Sequence, residues 1–227
     1  MDFSFGIITN NNNYLNDIIN SIYKQNIENF EIILIGNSNI KEDNIKNISF
    51  DESKKNNWIT KKKNLITENS SYDNIVFLHD YIIFDDNWYK GFLKFGNNWD
   101  ICMNIIENAD GSRFRDWCLW YYDIIQIVPE IKQTNELLLP YDVLNLSKIM
   151  YISGSYWIAK KRVMQEFPLN EDLVWDESED VEWSKRVREK YNFSMNQNSK
   201  VKCLKQKIID FNLCKNETIQ KINSIIC

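Results

Sequence analysis

Apolar and polar positions fall in alternating blocks along the first part of the chain. An apolar run over Phe3–Thr9 is followed by a helical period over residues 14–24 and a second apolar run over Phe30–Gly36. A helical stretch over about residues 58–69 and a third apolar run at 75–78 complete the series. Near-continuous apolar runs fit strands buried on both faces, and their alternation with helices is βαβαβ spacing. The predicted fold class is α/β, with a mainly parallel sheet flanked by helices and a smaller mixed β region. Ligands of such sheets collect beyond the carboxyl ends of the strands, so the residues to watch are Thr9 and Asn10, Asn37 and Ser38, and His79 to Tyr81.

The pattern changes in the second half. Residues 117–128 are dense in aromatic and β-branched side chains, and a strand is predicted over 149–160 around Gly154. A helix is predicted after Ser178. In WDESEDVEWSKR, Trp175 to Arg186, the adjacent carboxylates Glu179 and Asp180 stand at the mouth of that helix. Two readings apply: a catalytic corner, or acids complementing the helix dipole, with Asp176 and Glu179 as a capping box. Beyond about Val201, apolar Ile219, Ile222, Ile225 and Ile226 recur at helical spacing, which suits a helix packing on the domain, with a dimer or membrane-surface contact as the alternative. Asn10 to Asn13 read as a loop.

The chain has 227 residues and 44% hydrophobic content, enough for one sizeable core, and one domain over 1–227 is expected. No basic leader precedes the first strand and no apolar run approaches the ~18 residues of a membrane span, so a soluble, unprocessed protein is expected. Five cysteines (Cys102, Cys118, Cys203, Cys214, Cys227) form no CxxC pair, and they read as reduced thiols in a cytoplasmic protein. His79 is the only histidine, which disfavours a Cys/His zinc site or a Ser-His-Asp triad. A formal charge of −5 and a pI near 5.1 argue against nucleic acid as a partner. Neither GxxxxGKS/T nor GxGxxG occurs, and there are only six glycines. Phosphates would therefore be held by a metal or by Lys and Arg, not by a Gly-rich cradle.

Three segments in order carry a family resemblance: TNNNNYLNDIINSIYKQNIENFEIILIGNS, NIVFLHDYIIFDDNW, and YISGSYWIAKKRV followed by WDESEDVEWSKRV. Together they resemble a family 2-type glycosyltransferase of the GT-A (nucleotide-diphospho-sugar transferase) fold, over roughly residues 3 to 190. KKKN at Lys61 to Asn64 is similar to that family's "arN" helix. The resemblance implies a nucleotide-binding half over about 1–105, an acceptor-binding half over about 106–200 and a tail over 201–227.

It further implies an inverting transfer from a nucleotide-diphosphate sugar, UDP-sugar favoured, to a hydroxyl acceptor such as a growing glycan. In that scheme Asp180 is the base and Glu179 assists or binds acceptor hydroxyls. Thr9, Asn10, Asn37, Ser38, Lys63, Asn64, His79 and Asp80 are expected on the donor side, and Gly154, Trp157 and Glu179 on the acceptor side. Arg186 is either structural or a diphosphate contact. Bland alternatives stand beside these: turn chemistry for Thr9 and Asn37, a solvated face for the lysine run, core packing for Trp157.

The main departure from the family is at the metal motif, where His79-Asp80-Tyr81 replaces Asp-x-Asp. Either Asp80 and His79 ligate a divalent cation, Mn²⁺ favoured over Mg²⁺ because of the imidazole, or lysines neutralise the diphosphate and His79 is a hydrogen-bonded strand-end residue. The competing functional reading is a nucleotide-sugar-binding pseudoenzyme or assembly subunit. A nucleotidyltransferase is disfavoured by the missing Gly-rich loop.

Overall fold

The computed structural model describes residues 1–10, 13–131, 134–208 and 210–226. Asn11 and Asn12 of the expected loop, and Cys227, lie outside them.

The strands are β1 (Phe3–Thr9), β2 (Phe30–Gly36), β3 (Ile45–Ile48), β4 (Asn74–His79), β5 (Ile82–Phe84), β6 (Ile101–Glu107), β7 (Cys118–Leu119), β8 (Glu136–Leu138), β9 (Met150–Tyr151), β10 (Tyr156–Lys160), β11 (Phe193–Cys203) and β12 (Asn212–Leu213). The helices are α1 (Leu15–Tyr23), α2 (Ile59–Asn69), α3 (Trp88–Phe95), α4 (Tyr121–Ile127), α5 (Lys161–Glu166), α6 (Glu179–Val187) and α7 (Asn216–Ile226). Among the described residues, an eight-stranded sheet runs β3-β2-β1-β4-β10-β6-β11-β5 and a four-stranded sheet runs β12-β8-β7-β9. The first four strands of the large sheet are parallel, and β10 enters antiparallel between β4 and β6.

The apolar runs explain the parallel half. All seven positions of β1 are buried, as expected for a strand covered on both faces. Helix α2 lies so close to β1 that a Cβ on Gly6 would stand 2.2 Å from the Ile66 side chain. Glu31 of β2 ties this half together, accepting from Ser4 Oγ on β1 at 2.7 Å, pairing with Lys46 on β3 at 2.5 Å, and binding Ser71 just before β4.

The second half departs from one expectation, the strand over residues 149–160. Residues 117–128 hold only the short β7 before the chain turns into α4, whose apolar face carries the buried Ile124. The strand expected over 149–160 is divided into β9 and β10 by a turn through Ser153, Gly154 and Ser155. The Ser153 and Ser155 hydroxyls bond each other at 2.8 Å across Gly154. The tail helix α7 buries Ile219 and Ile222 and leaves Ile225 exposed. Cys102, Cys118, Cys203 and Cys214 are free and buried. Among the described residues no helix is long and apolar enough to cross a membrane.

Candidate functional site

Two parallel neighbours, β1 and β4, end side by side with Ile8 opposite His79. The chain after β4 is held to β1 by the Asp80 N–H, which donates to Ile8 O at 3.2 Å, and the Asp80 carboxylate returns the contact by accepting from the Asn10 N–H at 3.1 Å. A cavity of about 320 Å³ opens at this edge, with Thr9, Asn10, Lys62, His79 and Asp80 in its walls. A second, of about 670 Å³, is lined by Gly154, Glu179 and Asp180 together with Trp120, Tyr151 and Phe211. His79, Tyr81, Trp175 and Lys207 are walls of both, so the loop after β4 and the acidic turn face one continuous crevice.

The acidic turn is fixed by packing. Trp183 of α6 lies 4.5 Å from Trp157 of β10, which in turn stacks on Phe77 of β4 at 4.3 Å. Ser184 bridges the helix to the strand side, donating to Asp180 O at 2.6 Å and accepting from the Ile152 N–H at 3.0 Å. The capping box does not form: Ser178 stands at the N-cap with φ 56° and its side chain makes no capping bond. Instead Asp180 turns both carboxylate oxygens to backbone donors. Oδ2 accepts from the Gly154 N–H and Oδ1 from the Val181 N–H, each at 2.9 Å. Such charge-assisted bonds aim the carboxylate and leave lone pairs facing the cavity. A Cβ on Gly154 would stand 2.9 Å from Glu179 Oε1 and 3.0 Å from Asp180 Oδ2, which explains the glycine. Asn57, Asp176 and Ser178, with φ 55°, 73° and 56°, are left-handed non-glycine residues that border this crevice. Such strain concentrates at functional sites.

Lys63 is not a wall of the cavity at the β1/β4 edge. Its ammonium, 1% exposed, donates to Gly154 O at 3.0 Å and pairs with Glu179 at 3.5 Å. Rotation of α2 explains this, since the neighbour Lys62 lines the cavity at the β1/β4 edge and pairs with Glu52. Burial raises the pKa of Glu179, Lys63 counteracts this and Asp180 adds to it, with a net upward shift. Asn64 is structural, donating to Leu169 O at 3.0 Å and Glu171 Oε1 at 2.9 Å. Trp157 is fully buried and offers no face to a ligand, whereas Trp175 is 56% exposed. Asn37 and Ser38 follow β2 at the same sheet edge but are not among the cavity walls. Arg186 pairs with Glu182 at 2.6 Å and donates to Pro168 O at 2.9 Å, a structural bracket for α6.

Sequence reasoning watched Tyr81 at the sheet edge but missed Lys207 as a wall, and it singled out Trp157 where Trp175 lines the crevice. A signal was present for the tryptophans: Trp157 sits in an apolar run, Trp175 in a polar one.

Asp80 and His79 are the residues nearest to a metal motif. Burial, then the charges of Lys63, Lys207 and Lys62, push the His79 imidazole down to about 3, so it is neutral and bonded to the Gly154 backbone. Burial pushes the Tyr81 phenol up, with Cys203, Asp80 and Glu179 adding to the shift, so it supplies no anionic oxygen. Among the described residues no group of three His, Cys, Asp or Glu side chains is close enough to hold an ion. One carboxylate and one imidazole amid three ammonium groups do not fit a resident divalent cation, for which clustered oxygen ligands are usual.

No protein-family model matches the chain, and no curated protein sequence matches it. Solved structures do. The structure of S. aureus TarS 1-349 is 13% identical with a TM-score of 0.61, over 98% of this chain and 63% of that one. The same TarS fragment in complex with UDP-GlcNAc is 12% identical with a TM-score of 0.62, over 100% and 66%. GalNAc-T7 with UDP, GalNAc and Mn²⁺ is 13% identical with a TM-score of 0.64, over 90% and 43%. The chain thus spans less than two thirds of the length of these proteins. At such identities the likeness speaks for the fold alone, a mixed α/β architecture with a curled main sheet and a smaller second sheet: the chain has the GT-A fold.

Proposed function

We propose that this chain is a glycosyltransferase that moves a sugar from a nucleotide-diphosphate sugar, with UDP-sugar favoured, to the hydroxyl of a glycan or similar acceptor. The observation that carries the reading is the shared wall of the two cavities: a nucleotide at the β1/β4 edge would direct its sugar past His79 and Trp175 toward Asp180. The neighbours' complexes with UDP, UDP-GlcNAc and GalNAc support this choice of donor.

In this reading Thr9 and Asn10 meet the nucleoside, and Trp175, 56% exposed, presents its face to a sugar. Asp180 takes the acceptor hydroxyl's proton as its oxygen bonds to the anomeric carbon. The bond from that carbon to the diphosphate oxygen breaks, and the electron pair leaves with the nucleoside diphosphate. Displacement on the face opposite the leaving group inverts the anomeric centre, in line with the family 2-type resemblance. Lys63 and Gly154 position the two acids. If a divalent ion such as the Mn²⁺ of GalNAc-T7 takes part, Asp80 and His79 are the residues nearest to it, but no step here is routed through one.

The test is nucleotide release from a panel of nucleotide sugars with candidate acceptors. Asp180→Asn should lower transfer about 10²- to 10⁴-fold with donor affinity nearly intact, and full activity would remove Asp180 from the role. The second reading, a nucleotide-sugar-binding subunit without transfer, is favoured by the neutral Tyr81 in the metal motif, and binding without release under every condition would select it.

A further inference from the structure

We propose that Lys207 is the cation that receives the donor's diphosphate, in place of a divalent ion; this rests on the nucleotide-sugar reading above. The segment carrying it is built into position. The Leu204 N–H donates to Tyr81 O at 2.8 Å, the Lys207 N–H to Asn108 Oδ1 at 3.0 Å, and Gln206 Nε2 to Asp110 Oδ2 at 3.0 Å. These bonds bring the Lys207 ammonium to 4.1 Å from the centre of the Tyr81 ring. An aromatic face at that distance holds a cation. The cation held over Tyr81 belongs to the chain itself.

Lys207 also stands where the two cavities meet, between the place for a nucleoside and the place for a sugar. Of the other lysines at this edge, Lys62 is engaged with Glu52 and Lys63 with Glu179, and Lys205 is not among the walls of either cavity. Among the described residues no carboxylate lies within ion-pair distance of Lys207, so its charge is available to a ligand. Arg115 on the same wall pairs with Asp210 at 3.1 Å and keeps its Nε buried without a partner. A diphosphate suits this wall, with its ammonium and guanidinium groups, and a divalent cation does not. On transfer, the bridging oxygen leaves with the electron pair, and the added negative charge is met by an ammonium that needs neither to gain nor to lose a proton.

Calorimetric titration of the full chain with UDP and with uridine, in EDTA and in Mn²⁺, would compare the unmodified protein with Lys207→Gln and Lys205→Gln. Lys205 lies farther from the same ring, at 5.4 Å, and serves as the charge control. The unmodified protein should bind UDP in EDTA. Lys207→Gln should weaken UDP about 10- to 100-fold and leave uridine unchanged, whereas Lys205→Gln should change UDP by less than about fivefold. Equal UDP affinity in Lys207→Gln, or UDP binding that requires Mn²⁺, overturns the assignment and leaves the nucleotide-sugar reading standing. Failure of the unmodified protein to bind UDP, GDP or dTDP in either condition overturns that reading, and this inference with it.

Discussion

The N–H of Gly154 lies 2.9 Å from Oδ2 of Asp180, and the carbonyl of the same residue accepts from Lys63 at 3.0 Å. One peptide-length of backbone thus holds the candidate base at one end and the charge balance of its neighbour Glu179 at the other.

Replacing Gly154 by Ala places a methyl group against both carboxylates, inside normal contact distance. Transfer should fall at least about tenfold through misplacement of Asp180, while UDP affinity, set at the other cavity, changes little. Parallel kinetics and calorimetry on Gly154→Ala check the split.

Lys63→Met would leave Glu179 buried beside Asp180 without its counter-charge. Breaking a buried pair from one side costs about 3–5 kcal/mol, so denaturant unfolding should show a loss of that order. Lys61→Met, which removes a partly exposed pair with Glu171, should cost about 0–1 kcal/mol.

His79, the sole histidine, offers an isolated titration signal. With its pKa pushed down to about 3 by burial and the nearby lysines, the imidazole resonances should not titrate between about pH 5 and 8. An unfolded chain takes up this proton near its ordinary value of about 6.5. The unfolded state therefore gains protons first, and the associated stability is present above about 6.5 and is lost as pH falls toward about 3. NMR titration of the ring, with unfolding free energies for His79→Gln at several pH values, measures both.

Glu31 titrates with the same sense for a different reason. Burial pushes its pKa up, but bonds from Lys46, Ser4 and Ser71 outweigh that and hold it below the usual carboxylate value. Its contribution is present above the unfolded value, about 4.3, and is lost as pH falls through the lower folded one. Glu31→Gln should destabilise the protein at pH 7, and the difference should shrink in acid unfolding experiments below about pH 4.

The elements legible in the sequence were those with a local cause. The seven buried positions of β1 and the acid-first helix α6 are visible in any short window, and so is the placing of Thr9 at the end of β1, His79 at the end of β4 and Asp180 in the first turn of α6. What escaped depended on long-range geometry. Lys62 and Lys63 are adjacent, and only the rotation of α2 against β1 sends one to each side. Gly154 read as part of a strand because the apolar residues on both sides conceal a turn that Asp180, 26 positions later, stabilises. Lys207 had no local mark at all: its position is defined by Tyr81 and Asn108, remote in sequence.

The stretch beyond β11 is fastened at two ends, by Leu204 N–H to Tyr81 O and by Cys214 N–H to Leu138 O at 2.7 Å, and β12 lies alongside β8. Between these anchors Gln206, Lys207, Ile208, Asp210 and Phe211 roof the larger cavity. Every strand of the main sheet is already in place by Cys203. Scaffold and roof are therefore written in successive stretches of the chain, and a version cut after Cys203 would keep every strand of the main sheet in its sequence while losing the residues that roof the larger cavity.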